Sequence, residues 1–148
     1  MPHWARVLEN GRRLSEVTRA KSDVVELFAV FHDSQRINEG IDDGHGRRGA
    51  ELARQLRGVD YDLTEEDFKL LIEACDLHTE GLLDGDITVR TCWDADRLDL
   101  GRIGIIPRED KLCTDRAKDP GLLQWAVKRG EELFVPDLVL SEWGVRLR

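Results

Sequence analysis

Four histidines occur in the 148 residues, and each falls where a helical apolar stripe carries it inward. Val25, Phe28, Ala29 and His32 stand at i, i+3, i+4 and i+7, which is one face of a helix, and Asp33 follows directly. Leu71, Ala74, Cys75 and His78 repeat that spacing. His45 shares a face with Gly49, Leu52 and Leu56, and His3 stands one turn before Val7. Val89, Cys92, Trp93 and Asp96 make the same stripe, with a carboxylate at its end. A lone histidine on such a face is usually a satisfied core residue. A buried carboxylate without a partner, however, costs several kcal/mol to ionise. Inward acids and imidazoles satisfy one another if a cation lies among them, and both are good ligands for divalent first-row metals.

The elements that must position these residues are helical. Residues 4–19 form the first expected helix, with Val7, Leu14 and Val17 on one face, Arg6, Arg12, Arg13 and Glu16 outside it, and Asn10-Gly11 as a weak point. The second runs over 22–35, capped by Ser22-Asp23 with Glu26 behind. The polar, glycine-containing stretch 34–44 reads as a loop leaving the His32-Asp33 pair. A third helix opens at His45 and reaches about Leu56. Its Gly46 and Gly49 each weaken it by roughly 1 kcal/mol relative to alanine, but Gly49 allows a close approach. Thr64 caps a fourth helix, with Asp67 at the third position, and Thr79-Glu80-Gly81 ends it. The fifth spans Asp86–Leu100. Beyond it, Ile103–Pro107 reads as an apolar turn or short extended piece, Asp119-Pro120 starts a helix to Arg129, and Val135–Arg148 packs as a last helix or tail. Trp125 and Trp143 serve a core or an interface.

Composition limits the function classes. Hydrophobic residues make up 41% and charged residues 35%, which fits one folded domain with a helical surface. The net charge of −8 argues against a nucleic-acid backbone as partner. No apolar run approaches the roughly 20 residues of a membrane span. The N-terminus lacks the pattern of a signal peptide. Cys75, Cys92 and Cys113 are odd in number and widely spaced, so they read as reduced, mostly buried cysteines of a cytoplasmic protein.

The ordered set His3, His32-Asp33, His45, His78 and Asp96 resembles the HD-domain superfamily of metal-dependent phosphohydrolases. The minimal signature would be His3, Phe31-His32-Asp33 and Ala95-Asp96-Arg97-Leu98, with Asp94 a rival for the last position. His45 and His78 match the two extra histidines of the subset that binds two metals. The resemblance covers residues 1–105 and leaves 106–148 as a C-terminal packing segment of a single domain. It implies an all-α bundle of five to seven helices around a centre of one or two divalent ions (manganese, iron, nickel, zinc or magnesium). His3, His32, Asp33 and Asp96 would hold one ion, and Asp33 would bridge to a second on His45 and His78. Two such ions about 3.5–4 Å apart clamp the attacking and leaving oxygens of a phosphoryl transfer.

Asp33 is therefore the catalytic candidate. Arg36, Arg47 and Arg97 are candidates to hold phosphate, and Asp99 and Glu51 could orient ligand histidines from behind. Arg36 stands where members of this subset often have a lysine. The extended signature of cyclic-dinucleotide phosphodiesterases is missing around His78. The expected substrate is a small phosphorylated molecule such as a nucleotide or phosphate ester. Two other functions share the scaffold: a diiron oxygenase that cleaves a carbon bond with dioxygen, and a non-catalytic metal- or ligand-binding domain.

Overall fold

The computed structural model describes residues 2–145 of the chain, and these are all-helical in fold. The described residues form seven α-helices and no strand: α1 (Pro2–Thr18), α2 (Ser22–Phe31), α3 (His45–Leu56), α4 (Glu65–Leu77), α5 (Ile87–Arg97), α6 (Pro120–Glu131) and α7 (Leu138–Ser141). Two 3₁₀ turns, Leu100–Ile103 and Glu109–Lys111, lie between α5 and α6. Among the described residues no helix is long and apolar enough to cross a membrane.

Helix α1 packs on α2 and α5, α2 and α3 pack on α4, and α6 covers the Leu100–Ile103 turn. Phe28, Leu14, Leu71, Trp93 and Leu98 fill the centre without solvent exposure. The Asn10-Gly11 pair is where α1 meets its neighbours. A Cβ on Gly11 would lie 2.4 Å from Val25 Cγ1, and Asn10 Nδ2 donates to Ala95 O at 3.0 Å. A feature that weakens an isolated helix thus lets this one come close to two others.

Four expectations about α1 and α2 change. Val17 is 60% exposed rather than inward, because Thr18 faces α5 at that end and its hydroxyl accepts from Thr91. Arg6, expected outside, is buried at 3% exposure, because Asp99 waits for it inside. Lys21, not Ser22, is the N-cap of α2, and Ser22 is its first residue. That helix stops at Phe31, not 35, because Ser34 turns both its N–H and its hydroxyl onto Phe31 O.

The other starts follow their caps. Thr64 accepts from Asp67 N–H, Asp86 from Thr88 N–H and Asp119 from Leu122 N–H, so the fifth helix begins at Ile87. It ends at Arg97, before the turn that carries Ile103 to the surface. The final segment yields only the short α7, and Arg146, Leu147 and Arg148 lie outside the described residues. Trp125 and Trp143 are partly buried against the core. Cys75, Cys92 and Cys113 are free and buried.

Candidate metal centre

Every inward stripe ends at one place. His32 and His78 stand just past the last turns of α2 and α4, His45 begins α3, His3 lies in the first turn of α1, and Asp96 in the last turn of α5. The six side chains fall into two groups of three. His3, His32 and Asp96 form one, Asp33, His45 and His78 the other, and within each group the donor atoms lie within 4.8 Å of one another.

In the first group, His3 Nε2 is 3.2 Å from His32 Nε2 and 3.3 Å from Asp96 Oδ1. His32 Nε2 is 3.4 Å from the same oxygen. In the second, His45 Nε2 is 3.0 Å from His78 Nε2. The Asp33 carboxylate belongs to both. Its Oδ2 is 3.3 Å from His3 Nε2, while its Oδ1 is 3.1 Å from His45 Nε2 and 3.4 Å from His78 Nε2.

The histidines reach this arrangement with their Nε2 atoms inward because each Nδ1 is held from behind. His3 Nδ1–H donates to Asp99 Oδ2 at 2.7 Å and His32 Nδ1–H to Phe28 O at 2.9 Å. His45 Nδ1–H donates to Asp42 O and His78 Nδ1–H to Cys75 O, both at 2.7 Å. A ring that donates from Nδ1 presents a lone pair at Nε2 when neutral. Two such lone pairs about 3 Å apart repel unless a proton or a metal cation stands between them. Donor atoms bound to one ion at 2.0–2.1 Å lie roughly 2.8–3.0 Å apart in octahedral and 3.3–3.4 Å apart in tetrahedral geometry, and these contacts span the same range. The donor set therefore fits two divalent ions with Asp33 between them.

Without metal, protons take that role. Burial works against charge on His3, but contacts with Asp33, Asp96 and Asp99 outweigh it and push its pKa up to about 10. Burial likewise opposes a charged His78, and the hydrogen bond to Asp33 raises it. Both carboxylates resist protonation despite burial. Asp33 is held well below the usual range by His3 and His78, and Asp96 by His3 and His32.

Glycines let α3 enter. A Cβ on Gly49 would lie 2.4 Å from Phe31 O, and one on Gly46 would lie 2.6 Å from Cys75 O and 3.0 Å from His78 Nδ1. The backbone of α3 thus rests directly on the ends of α2 and α4, which places His45 against His78. The loop after Asp33 is tied down by Asp42, whose carboxylate accepts from Arg48 at 2.6 Å and from Ile37 N–H at 2.7 Å.

Of the arginine candidates, only Arg36 reaches the centre. Its Nε is 3.4 Å from Asp33 Oδ2, and its Nη1 donates to Asn38 O and Gly40 O. Arg47 is exposed, about 200° around α3 from His45 and thus on the outer side. Arg97 is engaged elsewhere, donating to Leu82 O at 2.7 Å and Lys111 O at 3.1 Å. Glu51 is exposed and pairs with Arg54, whereas Asp99 does stand behind His3. Asp96 is not fully buried as its stripe suggested. Its side chain is 19% exposed, because the stripe runs out where α5 reaches the centre. Asp94 is fully buried but has a structural role, accepting from Cys113 N–H, Thr114 N–H and the Thr114 hydroxyl at 2.7 Å each.

Sequence reasoning missed Arg6 and the Asp42 carbonyl. Arg6 had a signal, because it stands three residues after His3 and one before Val7, on the inward side of α1. The carbonyl had none. Comparison of the chain with family models, with curated proteins and with solved structures found no match in any of the three.

Proposed function

We propose that this chain is an HD-type, metal-dependent phosphohydrolase acting on a small phosphorylated molecule, such as a nucleotide or phosphate ester. The observation that carries this reading is the Asp33 carboxylate, one oxygen turned to each histidine group. A carboxylate so placed suits two ions that work as a pair. When bound, such ions supply Lewis acidity and bring the pKa of a bound water toward neutrality.

The chain's own groups do the rest. The acceptors behind the four Nδ1 atoms fix each ring and its tautomer. Arg36 reaches the centre with a guanidinium suited to grip phosphate oxygens bidentately. The overall charge of −8 would repel a phosphate, so the attraction must be local. Two divalent ions and Arg36 carry more positive charge than Asp33 and Asp96 cancel. The three free cysteines fit a reducing, cytoplasmic setting.

The test is phosphate release from a panel of nucleotides and small phosphate esters, with manganese, nickel or magnesium added. The expected result is release from at least one of them, lost in Asp33→Ala. Metal-loaded protein that releases phosphate from none would contradict the hydrolase. Tightly held iron with a mixed-valence spin signal would move the assignment to dioxygen chemistry on the same ligands.

A further inference from the structure

His3 differs from the other three histidines in what holds it. Their Nδ1 atoms donate to backbone carbonyls, which belong to the helices or turns that carry them. The Nδ1 of His3 donates to a carboxylate, Asp99, from a segment 96 residues away. Asp99 has no solvent exposure. Its Oδ1 accepts from Arg6 Nε at 2.7 Å and its Oδ2 from Arg6 Nη2 at 3.2 Å, a two-pronged grip. Arg6 Nη1 in turn donates to Phe134 O at 2.8 Å. Helix α6 closes over the pair, since a Cβ on Gly130 would lie 3.2 Å from Asp99 Oδ1.

We infer that Asp99 is a positioning residue for the His3 group alone, and that Arg6 and Phe134 O tie this half of the centre to the C-terminal segment. The inference rests on the metal assignment above. A carboxylate behind an imidazole makes the ring a stronger donor than a carbonyl does, and it fixes the orientation of a ring near a helix end. Residues 106–145, which bear none of the six candidate ligands, thereby acquire a part in the centre: they hold Arg6, which grips the carboxylate behind His3.

Two backgrounds separate the halves. His78→Ala disables the Asp33–His45–His78 group and leaves the His3 group. Asp96→Ala does the reverse. Asp99→Asn is introduced into each, and manganese(II) binding is measured by equilibrium dialysis. The expected result is a ten- to hundredfold weaker binding in the His78→Ala background and a change within about threefold in the Asp96→Ala background. Because Asp99→Asn leaves Arg6 buried without its anion, Arg6→Met/Asp99→Asn is run alongside, with circular dichroism to show that it folds. The same selective loss is expected of it. Weakening in neither background, or equal weakening in both, would overturn the inference while the metal assignment stood. No manganese binding by the unmodified protein would overturn both.

Discussion

Asp33 is the residue on which the two halves of the centre meet, and its replacement separates this arrangement from two independent sites. Asp33→Ala is expected to abolish tight binding at both, while His78→Ala removes only one ion per chain. Metal content after dialysis checks this. The raised pKa of His3 gives a second expectation. A metal must displace its proton, so apparent affinity should weaken by up to tenfold for each pH unit below about 10, with further loss wherever His78 must also release a proton. Titration with manganese at several pH values reads the slope, and an affinity independent of pH between 6 and about 8 would contradict it. In the metal-free protein the sign reverses. Protonated His3 favours the fold fully below its ordinary pKa of 6.5, and that contribution fades as pH rises through about 10.

The helices set the geometry, and their glycines are the sensitive points. Gly49→Ala places a methyl against Phe31 O and Gly46→Ala against Cys75 O, both backbone atoms that cannot swing aside. Each should push α3 outward, destabilise the fold by roughly 1–3 kcal/mol despite the better helix propensity of alanine, and weaken binding at the His45–His78 group first. Thermal melts with and without metal check both effects. Asp94→Ala is the contrasting case. It strands the buried N–H groups of Cys113 and Thr114, costing about 2–4 kcal/mol, yet should leave metal stoichiometry unchanged, because Asp94 touches no candidate ligand.

These contrasts show what the sequence could reveal. The stripes ending in His32, His78 and Asp96 were readable because a helix repeats every three or four residues and an inward polar group stands out against Val, Leu and Ala. The position of Arg6, three residues after His3, marks it as inward-facing, but nothing local marks its partner, 93 positions further on. Arg97 looks equivalent to Arg36 because composition does not say which way a guanidinium turns, whereas the outward place of Arg47 follows from its separation of about 200° from His45 on α3. Periodicity separates Asp96 from Asp94, which stands about 200° around α5, but it does not show that Asp94 is the more deeply buried of the two, held by Cys113 and Thr114. Contacts across the fold decide such cases, and local periodicity does not encode them.

For the molecule as a whole, the centre is a joint. It gathers two histidines just past helix ends, the first turns of α1 and α3 and the last turn of α5. A cation bound there cross-links five segments that the unfolded chain does not bring together. Metal at a hundredfold over its dissociation constant should then add about 2.7 kcal/mol, which is roughly 5–11 °C in melting temperature for a chain of this size. A chelator should reverse the shift. An unchanged melting temperature at saturating metal would mean that the folded chain binds the ions no better than the unfolded one, which contradicts a centre assembled by folding.

The most direct measurement is elemental analysis of the purified protein after saturation with a divalent metal and removal of the excess, beside the Asp33→Ala chain treated the same way. Two ions per unmodified chain and none held tightly by the variant is the expected result. No bound ion in the unmodified protein, or two retained without the Asp33 carboxylate, would contradict a paired metal centre.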